Sequence, residues 1–587
     1  MKKSIIRFTF LFIALLLFSN AWASNIENST KAKMLSHLEV IRSTFQVQYA
    51  PSDWKKSFTG WDLNTEIEKA KQEVQRTEKI TVKQYQKILK NLFISVKDYH
   101  VGVRFVSTES ASLPFIVKGL SGRYYFSYID RFGLPYAKFP FKEGDELLTF
   151  DGRPIAKVIN ELKQTQMGDN YTATDLSLTD VLLTRRSGRL GEPVPQGTIT
   201  LTGTSVSTTD ILSCEATWNY LSEQIGDTPL RNFETLDFNP LNYVQPIREE
   251  RLDIRSFLPD MTTYLWDKTD LGDDNMKNVG AIGARQSHLP YLGTKTWESP
   301  SSNHFHAYIF KTQEPNSRTI GYIRIPHYSA DEDEAKAFEE IIAKFQMRTD
   351  ALVIDQLNNP GGSNFYCNAL ASMLTDKPLK LPKHKMALTQ KDVLGALKIL
   401  PMLVKVKTSR EAKQLVGETV GGYPASLELI QALIVHFKFV LSEWGAGRSL
   451  TTPSPLVGLH EIEPHPKAQY TKPILILINE LDFSCGDFFP ALLQDNQRAV
   501  VFGTRTAGAG GYVRNYELPN HFAVEGFSLT SSIAERKDNL PIENLGVTPD
   551  IAYELTEDDL RNDFRGYVKA VNDALHILLV VENGNLD

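Results

Sequence analysis

A chain of 587 residues has room for about four domains, and its 42% hydrophobic and 23% charged content is that of an ordinary globular protein. Its formal charge of −6 offers no general basic surface, which argues against nucleic acid or an anionic membrane as partner. Three cysteines, Cys214, Cys367 and Cys485, cannot all pair and show no metal-ligand spacing, so neither a disulfide scaffold nor a cysteine metal site is expected.

The chain begins with Lys2, Lys3 and Arg7, an apolar run to Phe18, and Ala21-Trp22-Ala23. This pattern predicts a signal peptide over 1–23, cleaved after Ala23, and hence a secreted protein, periplasmic or extracellular. The apolar run is shorter than the ~20 residues of a membrane span, so no membrane anchor is expected.

Residues 24–108 read as a small helical domain, with amphipathic runs around Met34–Ile41 and Tyr85–Leu92. Its end, Lys97-Asp98-Tyr99-His100-Val101-Gly102-Val103, switches to strand-like alternation around His100. Residues 109–214 are rich in short β runs, such as Tyr124–Ile129 and Thr198–Leu201, with an Asp151-Gly152 turn closing a hairpin. The text Lys142-Glu143-Gly144-Asp145-Glu146-Leu147-Leu148 before that turn resembles the peptide-docking PDZ module. Residues 215–303 lack periodicity and are rich in Pro, Gly, Asp and Asn, a linker or regulatory segment.

From 304 to 587, strand and helix patterns alternate, predicting an α/β core with a parallel sheet. A helical insertion over 377–472 interrupts it, and the acidic and basic residues Glu428, Lys438 and Glu443 exclude a lipid span for its most apolar helix. His304 and His306 share a strand face, but no third ligand accompanies them, so no metal is expected.

Within this core, Ala351–Asp355 reads as a buried strand running into Asn358-Asn359-Pro360-Gly361-Gly362. Ile474–Ile478 is a second buried strand, and a polar turn delivers Ser484 to the start of a helix. Unpaired N–H groups and the helix dipole favour negative charge there, so the place suits an alkoxide, although serine is also an ordinary helix cap. The N–H of Gly361 or Gly362, with that of Cys485, could then form an oxyanion hole.

Taken together, Asp355–Gly362, Phe483-Ser484-Cys485, Gly503–Gly510 and Gly546-Val547-Thr548-Pro549-Asp550-Ile551 resemble the signature blocks of the C-terminal processing, or tail-specific, serine peptidases. The resemblance implies a crotonase-like protease core with a PDZ-like β domain and an N-terminal helical domain. Many members use a serine–lysine dyad, but the lysine slot here holds Ala509, which cannot take a proton. The tricorn-type branch uses serine, histidine and glutamate instead, and its motif order carries those roles to Ser484, His100 and Glu543. The resemblance further implies a serine endopeptidase acting on protein or peptide substrates, a homodimer, and no cofactor. Self-cleavage in 215–303 would make the chain a zymogen. Two other readings remain open: a catalytically silent peptide-binding protein on a protease scaffold, and a crotonase-like enzyme acting on acyl thioesters.

Overall fold

A computed structural model describes residues 29–223, 280–312, 317–329 and 332–584. The expected signal peptide and most of the expected regulatory segment lie outside the described residues. Among the described residues, no helix is long and apolar enough to cross a membrane.

The centre is a seven-stranded sheet whose spatial order follows the chain: Thr294–Glu298, Ala307–Lys311, Thr319–Arg324, Ala351–Asp355, Ile474–Ile478, Val500–Gly503 and Ile551–Ala552. The first two pairings are antiparallel and the remaining four parallel. Side chains alternate across a strand, so a strand buried on both faces must be apolar at every position. Leu352, Ile354, Ile474, Ile476 and Ile478 accordingly fill one core, while Val353, Leu475 and Leu477 fill the other, which the C-terminal helix Arg565–Gly584 covers through Tyr567, Val571 and Leu575. The first core continues into residues 377–472, where helices Gln390–Leu403, Ser409–Val416 and Leu427–Gly445 alternate with short strands.

The N-terminal helices, 29–48, Ser52–Thr59, Leu63–Arg76 and Val82–Ile94, do not stand apart from this body. The apolar faces of 29–48, Leu63–Arg76 and Val82–Ile94 pack on Phe522, Val524, Phe527 and Leu529. The strand that follows them, Gly102–Phe105, pairs antiparallel with Val524–Thr530, placing Gly102 opposite Ser528. A segment from the start of the chain is thereby hydrogen-bonded to one near its end.

Between them lies a β domain in which Phe115–Leu120, Arg123–Ile129, Glu146–Phe150, Thr198–Thr204 and Ile211–Thr217 form an antiparallel sheet. Asp151 and Gly152 both take left-handed φ, the conformation this two-residue turn demands. The sequence did not foretell two helices here, Ile155–Gln166 and Thr172–Thr184. The second buries Thr174, Asp175, Ser177, Thr179 and Asp180, so it lacks the apolar stripe that identifies a helix in sequence.

Candidate active site

Ser484 sits between the Ile474–Ile478 strand and the helix Cys485–Asp495, fully buried, at φ +56° and ψ −117°. That region is costly for a residue with a Cβ and persists where the surroundings enforce it. The enforcement is a polar net around Asp482. Its carboxylate accepts from the backbone N–H groups of Asn359 and Asn479 and from Gln356 Nε2, while Asn479 and Asn358 exchange bonds of 3.0 and 2.7 Å. The turn after one strand is thus bolted to the turn after the next. Ser484 does not cap its helix through its side chain, so the ordinary role of a serine in this position does not apply.

The helix itself contains Pro490, which the sequence would place as a break. The carbonyl its missing N–H orphans, that of Gly486, accepts instead from Gln356 Nε2 at 2.7 Å. Gly486 also allows close approach, since a Cβ there would lie 3.0 Å from the Asn359 carbonyl oxygen.

Gly361, at φ +88°, lies against the serine: a Cβ on it would stand 2.6 Å from Ser484 Cβ and 3.1 Å from the Cys485 nitrogen. Gly362, at φ +146°, passes so near Tyr328 that a Cβ would overlap its carbonyl carbon at 2.1 Å. The glycine turn and the start of the Ser484 helix therefore meet. The Gly361 N–H donates to Asn359 Oδ1 at 2.8 Å, so of the expected oxyanion donors this one is engaged within its own turn. Cys485 donates its thiol to the Gly362 carbonyl at 3.1 Å, the role of a buried packing residue.

The loop after the Val500–Gly503 strand closes over this helix. Asp487 accepts from Thr506 Oγ1 and from the N–H groups of Gly508 and Ala509, and burial raises its carboxyl to about 6 against those opposing hydrogen bonds. Ala509, the residue in the lysine slot, is buried with Tyr99, Phe483 and Ala507.

His100 approaches from the N-terminal side. Tyr99 meets Phe483 edge-on at 5.6 Å, so the neighbours of His100 and Ser484 are in contact. The His100 backbone is fixed from both sides: its N–H donates to Asp98 Oδ1 at 2.9 Å and its carbonyl accepts from Ser528 Oγ at 2.6 Å. Asp98 is held in turn by Tyr49 and Thr530 hydroxyls. The imidazole is wholly buried, and neither ring nitrogen has a hydrogen-bond partner among the described residues. Burial pushes it down to about 4, with Asp98 opposing and Lys55 adding to the shift. It is therefore neutral, and able to accept a proton, across the physiological range.

Glu543 is equally buried but is not bonded to His100. One carboxylate oxygen accepts from the Gly510 N–H at 3.0 Å, and the other is paired with Lys55 Nζ. Burial, then Asp98, push this carboxyl up to about 8, while Lys55 and the Gly510 N–H hold it down. The sequence reading missed Lys55. On the helix Ser52–Thr59 it stands beside Lys56, whose side chain is 68% exposed, and nothing in Lys-Lys tells which one turns inward.

Among the described residues no group of three or more histidine, cysteine or carboxylate side chains is arranged to hold a metal ion. The site thus brings a strained serine at a helix N-terminus, a glycine turn against it and, on the adjoining segment, a buried imidazole into one region of the fold.

Residues 319–553 match peptidase family S41 and residues 109–225 match a PDZ domain. The chain belongs to peptidase family S41, and it is a serine peptidase with a PDZ domain. It is 38% identical to an uncharacterized protein of Chlamydia muridarum, over 98% of this chain and 97% of that one. Among solved structures, mature CPAF is 35% identical with a TM-score of 0.78, covering 94% of this chain and 98% of that chain. A serine-to-alanine mutant of CPAF has the same identity and coverage with a TM-score of 0.81. A carboxy-terminal-processing protease of Bartonella bacilliformis is 31% identical over 16% of this chain and 21% of its own length.

Proposed function

We propose that the chain is a secreted serine endopeptidase in which Ser484 is the nucleophile, His100 the general base and Glu543 the group that orients and compensates the imidazole. The observation that carries this reading is His100: buried, kept neutral, without a ring partner among the described residues, and joined to the Ser484 turn through the Tyr99–Phe483 contact.

On this reading Ser484 Oγ bonds to the scissile carbonyl carbon while its proton passes to His100, and the carbonyl electrons move onto oxygen. The N–H groups of Gly362 and Cys485 stabilise that oxyanion. Collapse breaks the C–N bond as His100 returns the proton to the leaving amine, and water repeats the cycle on the acyl-enzyme. Glu543 keeps a lone pair on each oxygen beyond those taken by Lys55 and Gly510, so it can still accept from the imidazole directly or through water. The PDZ domain would dock an extended peptide on a sheet edge.

Export after cleavage at Ala23, self-cleavage within 215–303 as the activating step, and a homodimer complete the proposal. The basic–apolar–small start of the chain supports the first, and the length and aperiodic sequence of 215–303 support the second.

A serine-directed phosphonate tests the core of it. Ser484 should be labelled in the wild type, and His100→Ala should slow labelling by about 10²–10⁴-fold. Labelling at the wild-type rate in the His100 variant overturns the assignment. Gel analysis tests activation: wild type should be clipped and Ser484→Ala should stay intact, whereas a fully active uncut chain refutes it.

A further inference from the structure

We infer that Lys55 is a positioning residue of this site, a built-in cation that fixes Glu543 and the His100 turn to one another and favours the form of Glu543 that catalysis needs. The inference rests on the Ser484–His100–Glu543 reading and adds a fourth group to it.

The geometry is that of a hub. Lys55 is 0% exposed, and an ammonium in such a place has to satisfy all three donors. It does so on three acceptors: Glu543, Asn544 Oδ1 at 2.7 Å and the Lys97 carbonyl at 2.6 Å. Two of these lie on the segment that carries Glu543, and the third lies in the turn that carries His100. Asn544 closes the ring, donating from Nδ2 to the same Lys97 carbonyl at 2.9 Å and accepting from Trp54 Nε1 at 3.1 Å. The turn is held in a strained form, with Lys97 at φ +56°. A surface lysine would be screened and floppy; this one spans 488 positions of sequence with its full charge desolvated.

Among the described residues, Asp98 and Lys55 are the charged groups that act on both Glu543 and His100, the Tyr49 hydroxyl donates to Asp98, and Asp487, raised to about 6, lies on the Ser484 helix. The imidazolium formed during acyl transfer is stabilised when Glu543 is ionised. Without Lys55, Glu543 loses the cation that opposes its burial and takes up a proton more readily. The imidazole, relieved of a nearby positive charge, does the same. Both changes push the acid limb of the pH profile upward.

The test is the pH dependence of Ser484 labelling by a phosphonate in full-length protein, with thermal unfolding measured alongside. Lys55→Met should move the acid limb to higher pH by about 1–3 units, the range expected for loss of an adjacent opposite charge. It should also slow labelling by about tenfold or more at neutral pH. Lys55→Arg keeps the charge and should keep the limb even if packing lowers its unfolding temperature. Lys55→Gln, which retains a donor to Glu543, supplies the neutral variant if the methionine does not fold, and should shift the limb likewise. In a Glu543→Gln background, where only the effect through the imidazole and its turn remains, the methionine substitution should move rate and limb by less than it does alone. A wild-type limb in the neutral Lys55 variants, or an equal shift in the Glu543→Gln background, overturns the inference. A His100→Ala enzyme labelled at the wild-type rate would instead sink the catalytic reading beneath it, so the two failures are distinguishable.

Discussion

The two halves of the site are built on opposite plans. The serine half is made of neighbouring strands, two turns and one helix start, and backbone N–H and C=O groups with uncharged or internally bonded side chains hold it. The histidine half gathers segments near residues 55, 98 and 543, and holds them with a buried lysine, two carboxylates and an imidazole. The first half takes its geometry mainly from backbone hydrogen bonds, and its helix also carries Asp487, whose carboxyl burial raises to about 6. The second stores its geometry in ionisation states, so it should respond to pH. The position of the proposed nucleophile and the protonation of the proposed base and its carboxylate are set in separate parts of the molecule.

The largest losses should come from substitutions at the centre of each half. Ser484→Ala and His100→Ala should each lower kcat on a protein substrate by at least about 10⁴-fold, and by similar amounts because they act as a unit. Independent, multiplying losses in the double variant would show that the halves do not work together.

Gly361→Ala attacks only the serine half. Its Cβ would meet Ser484 Cβ at 2.6 Å and the Phe483 carbonyl oxygen at 2.7 Å, from a left-handed backbone that alanine resists. We expect a loss of about 10²–10³-fold in kcat, as for a displaced oxyanion donor, at every pH. Steady-state kinetics from pH 5 to 9 should return a profile of unchanged shape; a moved limb would contradict the division.

The histidine half should define that shape. His100, held at about 4, does not titrate near neutrality, whereas Glu543, pushed to about 8, does. Since the reading needs Glu543 ionised, kcat/KM should fall about tenfold per pH unit well below that value. Glu543→Gln should be slow and flat over the same range, and a wild-type profile flat from pH 5 to 8 would count against Glu543.

The smallest effect should be on stability. Asp487→Asn leaves a buried amide where a carboxylate accepted from Thr506, Gly508 and Ala509, and about 1–3 kcal/mol should be lost in denaturant unfolding. A carboxyl raised to about 6 in the fold takes up its proton more readily there than in the unfolded chain. Its contribution is therefore greatest below its unfolded pKa and is lost as pH rises through about 6. The variant should accordingly flatten that part of the stability profile.

The central strands, the Ser484 elbow and the glycine turn are legible in the sequence alone. Each is a short stretch whose apolar run, turn residues and helix start are contiguous, so local chemistry and periodicity suffice to read them. The family motif order added His100 and Glu543 as expectations. Tertiary structure alone decided that Pro490 is tolerated because Gln356 fills its vacant bond, that Thr172–Thr184 is a helix with a polar buried face, and that Lys55 rather than Lys56 turns inward to Glu543. The physical reason is the same in each case. A buried polar group is stable only with its partner, and when that partner lies hundreds of residues away no local pattern records it.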